Sequence, residues 1–508
     1  MSTFSIAIIG GGTAGWLVLN HIAHSVWSDK VSLTLIESPD IPSVGVGEGT
    51  VPSIRKSLQS FGISETDLIR RCDATFKQSI QFVNWLDANR HGRLNQYHHL
   101  FDAPNATWEP LIQHYLAEPE LDFAHLVSAQ ASLCDELKGP KNITMAEYQG
   151  ASSYAYHLNA AKFAQLLADN VKSKFKIEHV RANVVDASLF ANGYIRSLHL
   201  DQGIGEQAFD FYVDCSGFES VLISKTLNVP LVDVSDTLLV NKAIVTQVPT
   251  SLDSEIPPYT KATAHQAGWI WDIALTERRG VGFVYSDNHL DNEQAAQKLD
   301  RYLQGKLADL PHRTIDMKVG FRQQFWKNNC VAMGLAQGFL EPIEATSILL
   351  TDMAGEYLAQ RLPTATNALP MLQKRFNDTM SYAWERVVEF AKLHYLLSDR
   401  EDSAFWKDNR AAHSIPDELA SRLALWQQYP PSTQDFFSRY EVFNAENYLY
   451  VMYGMKFKSK PGSLSIEQRR HLVNIQEQLE TYRQQLVKAM PSHRELINKI
   501  HQYGLQKQ

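Results

Sequence analysis

One stretch at the start constrains this chain more than any other. Residues Phe4 to Ile9 form a short, isoleucine-rich apolar run, the pattern of a strand buried on both faces. The run passes directly into Gly10, Gly12 and Gly15, spaced G-x-G-x-x-G, and then into Trp16 to Ala23, which reads as a helix. Such glycines have separate jobs: one makes the tight turn, one lets the backbone approach a pyrophosphate, and one lets helix pack on strand. The helix N-terminus offers free N–H groups and a positive dipole end to that pyrophosphate. A second apolar strand, Val31 to Ile36, ends in Glu37, about 20 residues past Gly15, where an acidic side chain takes the ribose hydroxyls. The full order of strand, glycines, helix, strand and acid identifies a dinucleotide-binding unit, but neither the dinucleotide nor the reaction. Valine at Gly12 or Gly15 is expected to abolish cofactor binding and leave the fold largely intact.

At 508 residues the chain exceeds one ordinary core, so two or more lobes are expected. With 44% hydrophobic and 20% charged residues it reads as soluble and globular. A net charge of −8 argues against nucleic acid, because no basic excess is present to displace phosphate counterions. No apolar run approaches the ~20 residues of a membrane span. A first strand starting at Phe4 leaves no room for a signal peptide. Cys72, Cys134, Cys215 and Cys330 are scattered, without C-x-x-C, and read as reduced thiols of a cytoplasmic protein rather than a disulfide or metal framework.

Further along, Ser38 to Pro52 is rich in glycine and proline and reads as a structured loop against the cofactor. Ile54 to Arg70 reads as helical, and Thr75 to Trp85 as one strand with Lys77, Ser79 and Gln81 on one face. Tyr156-His157-Leu158 is expected to open a helix running through Ala168. Phe209 to Val213 is a buried-type strand ending in Asp214-Cys215-Ser216-Gly217-Phe218, a second glycine turn suited to the far side of the crevice. Gly268 to Leu275 carries Trp269 and Trp271 on one face, with Phe283 to Tyr285 as its hairpin partner. Cys330 to Met333 reads as a last buried strand, followed by Gly334, Gly338 and a helix from about Ile343 to Leu362. Beyond Pro363 the chain reads as helical, with Leu472, Ile475, Leu479, Tyr482 and Leu486 forming one stripe. That lobe suits a lid or half of a substrate pocket; the competing reading is a dimerisation surface, which leaves a homodimer open.

Six segments together resemble the flavin-dependent tryptophan halogenase family. They are Gly10 to Trp16, G-V-G-E-G-T at Gly45 to Thr50, F-K-Q-S-I-Q-F-V-N-W at Phe76 to Trp85, D-C-S-G-F at Asp214 to Phe218, W-I-W-D-I-A at Trp269 to Ala274, and F-L-E-P-I-E-A-T-S at Phe339 to Ser347. The resemblance implies an α/β fold: a Rossmann-like FAD-binding domain of the flavin monooxygenase type (GR2-like) with a mainly helical substrate lobe. The FAD-binding module would comprise 1–90 and 145–360, and the substrate lobe 91–144 and 361–508. It also implies a reaction. Reduced FAD (FADH2) from a separate flavin reductase reacts with oxygen, chloride or bromide is oxidised to hypohalous acid, and a lysine holds that acid beside a small electron-rich aromatic. By motif, Lys77 is similar to the family lysine and Glu344 to the glutamate that assists substitution. The Thr346 and Ser347 backbone resembles the halide site. Gly47, Glu48, Asp214, Gly334 and Gly338 join Gly10, Gly12, Thr13, Ala14, Gly15 and Glu37 as implied cofactor contacts. The Trp269–Trp271 segment is implied to lie beside the flavin and keep organic substrate away, so that activated oxygen meets halide. His99-Leu100-Phe101 resembles the His-x-Phe that walls an indole. Ala274 departs from the proline usual after this tryptophan pair, and Gly334-Leu335 lacks the Gly-Asp usual in aromatic hydroxylases, which favours the halogenase branch.

The residue chemistry agrees with these roles. Lysine can donate to hypohalous acid or, deprotonated, form a haloamine, which requires a pKa below its free value of ~10.4. A carboxylate can accept the proton lost when the ring regains aromaticity. Taken alone, Lys77 reads as a solvent-facing strand lysine and Glu344 as a first-turn helix glutamate. A flavin monooxygenase and a non-catalytic FAD-binding protein are the competing functions.

Overall fold

The computed structural model describes residues 3–26, 28–41, 47–104, 108–362 and 368–507. Gly45 and Val46, the middle of the loop 38–52, and the start of the C-terminal region at Pro363 lie outside them. Phe4–Ile9 is the centre of a six-stranded sheet in the order Trp326–Lys327, Cys330–Ala332, Phe211–Asp214, Phe4–Ile9, Val31–Glu37, Ile177–Arg181. All its pairings are parallel except the short Trp326–Lys327 edge. The strand order reverses about Phe4–Ile9, which creates a crevice outside the carboxyl ends of Phe4–Ile9 and Phe211–Asp214. Ile6, Ala7 and Ile8 are wholly buried, as a strand covered on both faces requires.

A seven-stranded sheet runs His312–Asp316, Lys242–Pro249, Arg278–Tyr285, Gly268–Ala274, Tyr259–His265, Ser79–Val83, Gln96–Leu100. The expected hairpin is present, with Trp269 opposite Val284 and Trp271 opposite Gly282. A three-stranded antiparallel sheet joins Gly47–Gly49, Ala155–Asn159 and Thr75–Lys77. The stretch Thr75 to Trp85 is thus two strands in two sheets. They break at Gln78, whose N–H donates to Pro258 and whose carbonyl accepts from Phe101.

Two helix starts differ from expectation. Tyr156 to Leu158 lies in the strand Ala155–Asn159, and the helix Ala160–Lys174 begins only after Asn159, whose side chain accepts from the Lys162 N–H. Asn159 is the capping signal that marks this boundary. The helix expected from Ile343 begins at Thr346 and ends at Gln360, because Ala345 turns into the left-handed region (φ 55°) and holds E-P-I-E as a loop. The C-terminal part is helical, dominated by Leu369–Leu397 and Ile466–Ala489. In the latter Leu472, Ile475, Leu479 and Leu486 are buried as the stripe requires, while Tyr482 is half exposed. Among the described residues no helix is long and apolar enough to cross a membrane, and no cluster suited to a metal ion is found.

Candidate active site

At the crevice the glycines are required by contact. Gly10 has φ +120°, and a Cβ there would lie 2.2 Å from the Cys215 carbonyl oxygen, so the fingerprint and D-C-S-G-F touch. A Cβ at Gly334 would lie 2.6 Å from that of Ala14, which brings the third glycine turn to the same place. Gly12 is different: a Cβ there meets nothing within 4 Å. Gly12 is also the N-cap of Thr13–Ala23, which has no side-chain cap, so its first N–H groups face an open cradle. This cradle fits a dinucleotide pyrophosphate.

The two glycines therefore have separate consequences, which corrects the expectation for Gly15. A Cβ at Gly15 would lie 1.9 Å from the Gly10 carbonyl oxygen, so Gly15→Val is expected to destabilise the fold by about 3 kcal/mol or more. Gly12→Val is expected to melt with the wild type and fail to bind FAD. Thermal denaturation without flavin and a flavin fluorescence titration check both outcomes.

The other implied cofactor residues are placed as follows. Glu37 leans over Gly11 and receives a hydrogen bond across 2.7 Å from His179. Thr13 Oγ1 donates to the Ala160 carbonyl at 3.4 Å. Asp214 is buried and spends its carboxylate inside the protein, accepting from the N–H groups of Ser216, Leu222 and Ile223 and the Ser216 hydroxyl. Gly47 and Glu48 lie in the edge strand paired with Ala155–Asn159, and loss of solvent pushes the Glu48 carboxyl up to about 7. Gly334, Gly338, Leu340, Thr346, Ser347 and Trp384 line a small, open-mouthed cavity. It lies at the start of Thr346–Gln360, whose N-cap Ala345 likewise has no side-chain cap. Those free N–H groups form an anion-binding end.

Lys77 and Glu344 are drawn to one interior place. Lys77 is fully buried. Its Nζ donates to the Thr50 carbonyl at 3.2 Å and stands 5.1 Å above the Phe101 ring. Burial lowers its pKa to about 8, with the Glu344 charge opposing that shift. Glu344, 4% exposed, receives His99 Nδ1 on both oxygens at 2.9 Å and His394 Nε2 on Oε1 at 2.9 Å. Burial alone would raise its pKa, but His99 and His394 outweigh this and hold it at about 2. His99 Nε2 accepts from Asn447 Nδ2, whose Oδ1 is taken by the Asn444 N–H, so Nδ1 is the proton that faces Glu344. His394 has the Phe390 carbonyl at Nδ1 and Glu344 at Nε2. Both ring nitrogens of His394 thus face acceptors. Trp269 and Trp271 are buried, with centroids 6.2 Å apart.

Sequence reasoning missed His394 and Asn447, which reach Glu344 and His99 from distant helices, and no local spacing marks them. It also missed Glu341, for which the repeated acid of E-P-I-E was an available signal.

A largely parallel α/β sheet with an open glycine cradle, a neighbouring anion-binding helix start, a buried lysine and a buried carboxylate define a dinucleotide-dependent enzyme. The tryptophan halogenase family model matches residues 5–467, and the chain belongs to that family. Tryptophan 6-halogenase SttH of Streptomyces toxytricini is 34% identical, with 88% of each chain covered. Tryptophan 7-halogenase RebH of Lentzea aerocolonigenes is 29% identical, with 89% of each covered. The crystal structure of a tryptophan halogenase from Shewanella frigidimarina superposes with a TM-score of 0.94 at 36% identity, covering 100% of this chain and 99% of that one. The chain is a Rossmann-like flavin-dependent halogenase that uses FADH2 from a separate reductase, oxygen and halide on an aromatic substrate.

Proposed function

We propose that this enzyme halogenates an indole- or tryptophan-like ring through Lys77 and Glu344. The observation that carries the reading is a buried lysine and a buried carboxylate next to an anion-binding helix start, within a halogenase fold. The cradle of Gly10, Gly12, Thr13, Ala14 and Gly15, with Glu37, Gly47, Glu48, Gly334 and Gly338, holds FAD. Asp214 shapes the adjoining turn. Reduced FAD bound there supplies, with oxygen, the two-electron oxidation of halide to hypohalous acid.

The protein's own groups do the rest. The Thr346 and Ser347 N–H groups hold halide by the helix dipole. Lys77 receives the hypohalous acid. As ammonium it donates to the acid's oxygen; as free amine it takes the halogen and releases water, forming a haloamine. A pKa near 8 makes both forms accessible. Glu344 takes the ring proton as aromaticity returns, and His99 and His394 keep it ionised for that task. His99, Phe101, Trp269 and Trp271 wall the aromatic side and the flavin side. Residues 1–90 and 145–360 form the flavin module, and 91–144 with 361–508 the substrate lobe. Four buried free cysteines support work in the cytoplasm.

Relatives named for positions 6 and 7 of tryptophan leave the ring position open. The test incubates the enzyme with FAD, a flavin reductase with NADH, bromide or chloride, and either indole or tryptophan. The expected product carries the halogen isotope pattern by mass. A hydroxylated ring would support a monooxygenase instead, and no product from either substrate would count against the reading.

A further inference from the structure

We propose that Glu341 is a positioning residue: its carboxyl ties the tryptophan strand and the long helix Leu369–Leu397 to the loop that carries Glu344. This inference rests on the halogenation reading above.

Glu341 is 1% exposed. Its Oε2 accepts from Trp269 Nε1 at 2.5 Å and from the Tyr395 hydroxyl, while Oε1 has no hydrogen-bond partner among the described residues. Three separated elements meet at one oxygen: the strand Gly268–Ala274, the E-P-I-E loop and the helix. The pairing is double. Consecutive helix residues hold the two glutamates of E-P-I-E, His394 on Glu344 and Tyr395 on Glu341. Neighbouring residues project about 100° apart around a helix axis, so the two contacts together fix its rotation as well as its height against the loop. Trp85 packs on the same junction, 6.4 Å from the Trp269 ring and 5.3 Å from Tyr395. Just upstream, Leu340 lines the cavity beside Thr346. Glu341 thus stands between the wall of that cavity and Glu344, and slack there moves Glu344 relative to Lys77.

One carboxyl oxygen does the holding, and it can accept whether or not the group is ionised. Burial pushes the carboxyl up to about 7, against the opposing donors Tyr395 and Trp269 and nearby His394 and Lys392. An amide oxygen in its place can accept the same two donors, so Glu341→Gln is expected to substitute where Glu341→Leu is not.

The experiment has two readouts. The first is halogenated product per oxygen consumed, at matched flavin affinity. Glu341→Leu is expected to lower it about tenfold or more, Trp269→Phe and Tyr395→Phe by about threefold each, and Glu341→Gln by no more than about twofold, since small misplacements near a reacting centre cost large factors. The second is the Trp269 indole N–H resonance in flavin-free, 15N-tryptophan-labelled protein, assigned by its loss in Trp269→Phe. It is expected far downfield in the wild type, shifted upfield in Glu341→Leu, and near wild type in Glu341→Gln. A wild-type ratio in Glu341→Leu, or an unmoved indole resonance, overturns the proposal. So does a Glu341→Gln ratio as low as that of Glu341→Leu, which would mean that charge matters rather than position. Should Glu341→Leu not fold, Trp269→Phe and Tyr395→Phe decide the question, each removing one donor. A wild type that yields no halogenated product would refute the halogenase reading alone, because the resonance still tests the tie.

Discussion

Lys77→Met is expected to yield a more stable protein that no longer halogenates. Lysine without a full partner is costly in a dry interior, and here the only hydrogen bond described for its Nζ is a long one to a backbone carbonyl. Methionine keeps the apolar stem and removes the charge, so the variant should gain about 1–2 kcal/mol near pH 7. The gain depends on pH. The folded protein releases the Lys77 proton near pH 8, against an ordinary value of 10.5 for the unfolded chain. Between those values the unfolded chain binds more protons, so wild-type stability rises with pH across that window. The penalty is complete below about pH 8, and the advantage of methionine should be largest there and gone by pH 10.5. Denaturant midpoints of the two proteins from pH 7 to 10.5 measure this. Catalysis moves the other way. Product per oxygen consumed should fall at least ~100-fold, with flavin binding and oxygen consumption retained. An unchanged ratio would remove Lys77 from the mechanism. An unchanged stability would mean that its ammonium is better satisfied than its surroundings indicate.

Glu344→Gln is expected to abolish halogenation almost as completely, by ~100-fold or more, at unchanged affinity for flavin. The carboxylate accepts His99 on both oxygens and His394 on one. An amide has one acceptor oxygen, and its NH2 would face an imidazole N–H. It also carries no charge, so the Lys77 ammonium loses the neighbour that supports it. Stability at pH 7 should drop on the order of 2 kcal/mol. In the wild type this carboxyl titrates at about 2 when folded, against an ordinary value of 4.5. Its contribution is therefore full above pH 4.5 and lost as pH falls toward 2. The glutamine variant should show a flatter acid unfolding curve over that interval. A variant that halogenates normally would reduce Glu344 to a structural anion.

The flavin half was legible because its signals are local. Phe4–Ile9, the glycines and Glu37 announce strand, turn and acid within one continuous stretch, and contacts at Gly10 and Gly334 then bring distant turns to it. Lys77 and Glu344 stood out only through the motifs around them. Nothing in their own spacing tells a buried lysine from an exposed one, and the strand break at Gln78 comes from partners at Pro258 and Phe101 that pattern reading cannot see. The substrate side was least legible. His394 lies within a helix where apolar periodicity hides its role, and Asn447 reaches His99 from the helix Ala445–Gly454, far away in the chain. The start at Tyr156 failed for a nearer reason: an apolar run of that length suits strand or helix alike, and only the Asn159 cap separates them.

The order of groups between Gly334 and Ser347 also bears on how such enzymes can be recombined. Cavity wall, Glu341 anchor, Glu344 and anion-binding helix start follow one another without interruption. The parts that meet them from the C-terminal side, Trp384, His394 and Tyr395, all lie on one later helix. A chimera joined beyond Gln360 inherits the oxidising segment whole but takes its counterparts from another parent. Such a crossover therefore puts these contacts at risk rather than the glycine cradle. The transferable module runs past the crossover to Leu397, and donors should be chosen for an intact His-Tyr pair facing the two glutamates.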